Sequence, residues 1–152
     1  MTKESGTFQP VGSSNARMHG TTSLLVSGFS VAEQATIREM LNESELTHIP
    51  IVFVADDLAH MTLAELTTLP DGRGEGAPST LRRGTVMSGL TETELHRLMA
   101  AYRESGMAQQ HWACVTPNSE GWPIAHLLDE LAREQETLKD AMANKTPPGT
   151  DQ

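Results

Sequence analysis

Two stretches decide the fold: Leu24-Leu25-Val26-Ser27-Gly28-Phe29-Ser30-Val31-Ala32-Glu33 and, 61 residues further on, Thr85-Val86-Met87-Ser88-Gly89-Leu90-Thr91-Glu92-Thr93-Glu94. Each opens on a short, mostly apolar run, passes through Ser-Gly, and reaches a hydroxyl residue followed three positions later by Glu. That spacing is a capping box, in which hydroxyl and carboxylate each satisfy a backbone amide left unpaired at a helix N-terminus. The glycine gives the backbone freedom for a sharp strand-to-helix turn. Strand, tight turn and helix are therefore predicted twice.

Working outward, the same offset aligns residues 24–66 with 85–127 without a gap, and eight of the 43 positions are identical. Identity at that level argues little by itself; the repeated structural punctuation argues more. In the second copy Leu95, Leu98, Met99 and Tyr102 form an apolar helical stripe, and in the first Ile37, Met40 and Leu41 do so more weakly. Next come Ile49–Ala55 (IPIVFVA) and Trp112–Thr116 (WACVT), apolar runs read as strands buried on both faces. Pro50 cannot donate to a ladder, which places it at a strand start or an edge. Polar turns at Asp56-Asp57 and Pro117-Asn118-Ser119 precede second helices, opened by the capping box Thr62-x-x-Glu65 and by Pro123 at the first helical position.

The expected architecture is α/β: two βαβα repeats related by pseudo-twofold symmetry, with about four strands in a partly parallel sheet packed with helices. Residues 1–22 read as a disordered polar tail, 23–69 as the first repeat, and 70–83, rich in Gly and Pro, as a flexible linker. Residues 84–143 read as the second repeat with an extended C-terminal helix, and 144–152 as a disordered tail. Strand order is not legible at this level.

Formal charge is −9, from 11 Lys and Arg against 20 Asp and Glu, which disfavours nucleic acid and acidic membrane surfaces as partners. No apolar run is long enough to cross a bilayer, and the N-terminus lacks a secretory signal's apolar core, so a cytoplasmic location is expected. Cys114 is the sole cysteine, so no internal disulfide forms; its apolar surroundings predict a buried, inert thiol. The six histidines include no helical metal pair, and His111 and Cys114, three apart on a strand, point to opposite faces. Neither a metal nor a cofactor is expected.

With parallel crossovers, the four turns after the strands would gather at one sheet edge, where helix N-termini offer free amides. This nominates Ser27, Gly28, Ser88, Gly89, Thr116, Asn118 and Trp122 as ligand-binding residues. A plainer reading competes with it: Ser and Gly make the turns, the hydroxyls cap the helices, and Trp122, aligned with Met61, staples the chain to its helix. Asp56 and Asp57 form an adjacent carboxylate pair that reads as a solvated turn. No phosphate-binding glycine loop and no nucleophile-base-acid set occurs, so no catalytic residue is assigned and the balance is against an enzyme.

The second repeat carries a resemblance. Met87-Ser88-Gly89-Leu90-Thr91-Glu92-Thr93-Glu94-Leu95, Tyr102-Arg103-Glu104-Ser105-Gly106, Ala113-Cys114-Val115-Thr116-Pro117-Asn118, Trp122 and Leu127-Leu128-Asp129-Glu130-Leu131 together resemble a small bacterial family known as domain of unknown function 3783, over about residues 84–135. The first repeat departs from it, with Ala55-Asp56 for Thr116-Pro117 and Met61 for Trp122. The resemblance implies a bacterial cytoplasmic setting and supplies no activity, cofactor or catalytic residue. From the residues, the leading expectation is a non-enzymatic binding or regulatory module acting through protein contacts. Leu131, Leu138 and Met142, which lack counterparts in the first repeat, are the candidate homodimer or partner stripe. The alternative is a small-molecule or anion-binding domain, conceivably an enzyme, at the strand carboxyl ends.

Overall fold

The computed structural model describes residues 16–145. Along the chain run β1 (Ser23–Ser27), α1 (Val31–Glu43), β2 (Ile51–Val54), a 3₁₀ turn (Asp56–Leu58), the one-turn helix α2 (Leu63–Leu66), β3 (Gly84–Ser88), α3 (Glu92–Ser105), β4 (His111–Cys114) and α4 (Ile124–Lys145). Four strands form one mixed, mostly parallel open sheet in the order β2-β1-β3-β4. β1 pairs parallel to β2 and β3 parallel to β4, each residue facing one 27 positions on: Leu24 with Ile51, Thr85 with Trp112. The central pair β1–β3 is antiparallel, with Leu25 opposite Val86 and Ser23 opposite Ser88.

Alternation along the strands divides the core into two layers. Leu24, Val26, Phe53 and Met87 point toward α1 and α3, where Phe29, Ile37, Leu41, Leu98 and Tyr102 close one cluster. Leu25, Val52, Val54 and Val86 point the other way, onto Leu63 and Leu66 of α2 and Ile124, Leu127 and Leu128 of α4. A side chain such as Leu25, with no exposed surface, contributes about 1.5–3 kcal/mol by burial. All three expected capping boxes form, at Ser30/Glu33, Thr62/Glu65 and Thr91/Glu94. Gly106 ends α3 in the left-handed conformation, as helix C-termini favour.

Several expectations are corrected. The antiparallel central pair puts the carboxyl ends of β1 and β2 at one end of the sheet and those of β3 and β4 at the other, so the four turns do not share an edge. β4 is half-buried rather than buried on both faces, because it lies at the sheet's rim. Pro123 stands one residue before α4, its carbonyl accepting from the Leu127 amide (3.2 Å). Residues 16–22 are not a loose tail: Met18 N–H donates to Leu90 O (2.9 Å) and Gly89 N–H to His19 O (3.1 Å).

Residues 70–83 are likewise not a loose linker. Gly72 N–H donates to Ile51 O and Phe53 N–H to Arg73 O, each at 2.8 Å, so this strap covers the outer edge of β2. Gly74, at φ +82°, passes so close to Phe53 O that a Cβ would overlap it. Gln34, buried in α1, holds the strap through Ala77 O (2.9 Å) and the Gly76 amide (2.8 Å), and Asp56 accepts from both the amide and hydroxyl of Thr80. Helix α4 runs through Lys145, past residue 144, the start of the expected C-terminal tail; the rest of the expected tails, 1–15 and 146–152, and the side chain of Met142 lie outside the described residues.

Candidate functional site

The seven nominated residues fall into two groups at opposite ends of the sheet. At the first end, Ser27 Oγ donates to Arg82 O (2.8 Å), and Gly28, at φ +81°, lies against Leu81 and Arg83. At the second, Gly89 O accepts from Arg17 Nη1 (2.9 Å) and Thr22 Oγ1 (3.0 Å), while Gly20 packs over buried Ser88. Thr116 and Ser119 close on each other: each backbone amide donates to the other's hydroxyl, at 3.0 and 3.1 Å. Asn118 is exposed in that turn. Trp122 stands edge-to-face on His126, centroids 4.8 Å apart, and packs on the α2/α4 core. These contacts make turns and cap helices; the segment preceding each half fills the turn of the other half.

Sequence reasoning missed the two arginines that lock this exchange. Arg17, ahead of β1, reaches Glu94 of α3 at 3.0 Å. Arg83, ahead of β3, reaches both oxygens of Glu33 of α1 at 3.1 and 3.0 Å and lies over the Phe29 ring, 4.5 Å from its centroid. Glu94 also meets His48 Nε2 at 2.6 Å. A signal was present in an acidic chain: basic residues at Arg17, six positions ahead of β1, and at Arg82-Arg83, directly before β3.

Both capping glutamates are held below the ordinary carboxylate value. For Glu33 the Ser30 amide is the main cause, burial opposes it and Arg83 adds to it. For Glu94 burial is the largest influence and pushes upward, but His48, the Thr91 amide and Arg17 together outweigh it. A depressed folded-state pKa gives stability that is complete above the ordinary value near 4.5 and lost as pH falls through the folded value. Glu33→Gln and Glu94→Gln are each expected to flatten the loss of stability on acidification, read as urea midpoints at pH 7 and pH 3.

Open clefts lie beside the helices and β4, one of them abutting the Ser27-Gly28 turn through Arg82 and Arg83. One, of about 400 Å³, runs between α1 and α3 and carries Glu39, Glu43 and Glu104. A second, of about 450 Å³, is lined by Met99, Tyr102, Arg103, Met107 and Trp112, on the α3 side of β4. A third, of about 380 Å³, is lined by Arg82, Arg83, Gln110, His111 and Gln135, at the end of the sheet toward α4. Burial pushes the Tyr102 hydroxyl up, against a smaller opposing pull from Arg83. Cys114 is half-buried rather than buried, and burial raises its thiol too.

Among the described residues, no group of three His, Cys, Asp or Glu is placed to hold a metal, and no helix is long and apolar enough to cross a membrane. No curated protein and no solved structure matches the chain. Residues 85–138, from β3 into α4, match the model of a domain of unknown function (DUF3783), and over that second half the chain resembles this family.

Proposed function

We propose that the chain is a non-enzymatic binding or regulatory module that acts through protein contacts, built from two copies of one unit joined about an internal twofold axis. Support for the duplication comes from reciprocity across that axis. Leu63 N–H donates to Trp122 O and Ile124 N–H to Met61 O, each at 3.0 Å; Ala64 N–H donates to Glu120 O and Ala125 N–H to Ala59 O. Each bond becomes the other when its donor is moved by +61 and its acceptor by −61. An internal pairing of this kind leaves the outer parts of the molecule for partners.

The observation that carries the functional reading is Leu138, 65% exposed on a helix whose residues 133–139 are all exposed. Leu131 is accounted for, packed against the α2/α4 core, so the unmatched stripe begins beyond it. Leu138 and Met142 are four residues apart in sequence, the spacing that keeps two side chains on one helix face. The occupant proposed for this face is the α4 helix of a second copy.

The test is sedimentation equilibrium of the full chain over a wide concentration range. Self-association should appear and should weaken at least about tenfold in Leu138→Glu, a change with little effect on the monomer because the site is exposed. A monomer at every concentration removes the homodimer. The ligand-site alternative gains no such observation at Ser27-Gly28 and Ser88-Gly89, where other segments of the chain fill the turns.

A further inference from the structure

The two rims of the sheet are treated differently. At β2 the strap residues Gly72 and Arg73 bond the outward backbone groups. The corresponding stretch of the second half, residues 132–135, is part of helix α4, so it supplies no such strap to β4. His111 and Val115 amides point inward, to Arg83 O (3.1 Å) and Met87 O (2.9 Å). In a parallel ladder the amides between them alternate, which turns those of Trp112 and Cys114 outward. β4 reads His-Trp-Ala-Cys, with no Pro, Lys or Asp/Glu of the kinds that commonly block an edge against pairing.

Clefts flank this rim on both sides, which matches the period of an added strand, whose side chains alternate between faces. On the α3 side the lining is mixed, with apolar surface from Met99, Tyr102, Met107 and Trp112 beside Arg103, Gln109 and Gln110. Toward α4 it is basic and polar, from Arg82, Arg83, His111 and Gln135. Neither lining includes a carboxylate, in a chain of net charge −9. Arg83 is already held by both oxygens of Glu33 and lies over Phe29, which leaves Arg82 as the cation open on this side. Arg82 pairs with Asp129 at 3.1 Å, but both are exposed, so an incoming carboxylate can replace Asp129 at little cost.

We propose that the edge of β4, unpaired among the described residues, binds an extended segment of a partner protein in which apolar and acidic residues alternate, apolar side chains entering the α3-side cleft and acidic ones meeting Arg82. This deepens the protein-contact reading and rests on it.

The test adds the blocked heptapeptide Val-Glu-Val-Glu-Val-Glu-Val to the full chain and follows binding by calorimetry and amide exchange by NMR. The Trp112 and Cys114 amides should exchange at least about tenfold more slowly with peptide, and the Lys-for-Glu peptide should bind at least about tenfold more weakly. The Arg82→Glu variant should lose at least about tenfold in affinity, while Arg97→Glu, exposed on α3, should not. Equal binding of the Lys peptide, or no protection at Trp112 and Cys114, overturns the proposal. So does protection that rises with protein concentration alone, because a second copy then occupies the edge. A parent chain that stays monomeric at every concentration, with peptide protection intact, would remove the dimer and leave this site standing; the reverse pattern would remove this site alone.

Discussion

Gly89→Ala is expected to destabilise the folded chain by about 2–4 kcal/mol, and Gly28→Ala by a similar amount. Gly89 has φ +65°, and a Cβ there would stand 2.5 Å from Gly20 O and 2.7 Å from Thr22 N. Gly28 has φ +81°, and its Cβ would stand 2.5 Å from Arg83 Cα and 2.7 Å from Leu81 O. In both places the obstacle is backbone, which cannot rotate away as a side chain can. The strap over the turn must therefore lift, and the adjoining Arg17–Glu94 or Arg83–Glu33 pair is disturbed with it. Gly106 separates the two contributions: its φ is +79° but nothing lies within 4 Å of an added Cβ. Gly106→Ala should cost only the conformational part, about 1 kcal/mol. Urea midpoints of the three variants supply the comparison. Equal losses at all three positions would mean that the straps do not press on the turns.

Leu25→Ala is expected to cost about 2–5 kcal/mol, the range for a fully buried leucine in a core that cannot collapse. Leu25 has no exposed surface, stands opposite Val86 on the central pair, and belongs to the layer shared by α2 and α4. The probe matters as much as the size of the effect. Both tryptophans, Trp112 and Trp122, lie in the second half, whereas Leu25 lies in the first. If the halves form one cooperative unit, tryptophan fluorescence and circular dichroism should shift together in Leu25→Ala. Fluorescence that stays at the parent midpoint while the dichroism shifts would show halves that unfold separately.

Local structure was legible because its causes are local. The three capping boxes, the two Ser-Gly turns and the β1 and β2 runs each depend on residues a few positions apart, and each forms where expected. Direction between the halves was not legible, because a repeated unit obeys the same internal rules whether its copies join parallel or antiparallel. The choice lies in the pairing of Leu25 with Val86 across a gap of 61 residues. For the same reason the supposed common edge divided in two, and Ser27 and Gly28 separated from Ser88 and Gly89.

The straps escaped notice for a different reason. Residues 16–22 and 70–83 show no apolar period, since they are held by backbone bonds to the turns and to β2 and by single side chains such as Arg17 and Gln34. Burial of β4 was overestimated because an apolar run of four or five residues reads alike at a rim and in the middle of a sheet. Trp122 and Met61 were paired by alignment. Their carbonyls exchange bonds with the first residues of the two facing helices, a role that no side-chain pattern records.

The central claim is that the halves meet through β1 and β3 running in opposite directions, in register about Leu25 and Val86. Backbone proton–proton NOEs in the full-length chain test it most directly. Cross-strand contacts between Leu25 and Val86, and between Ser23 and Ser88 beside them, are predicted. Contacts linking Ser23 to Gly84 and Ser27 to Ser88, as a parallel pairing of the two copies would give, would contradict it.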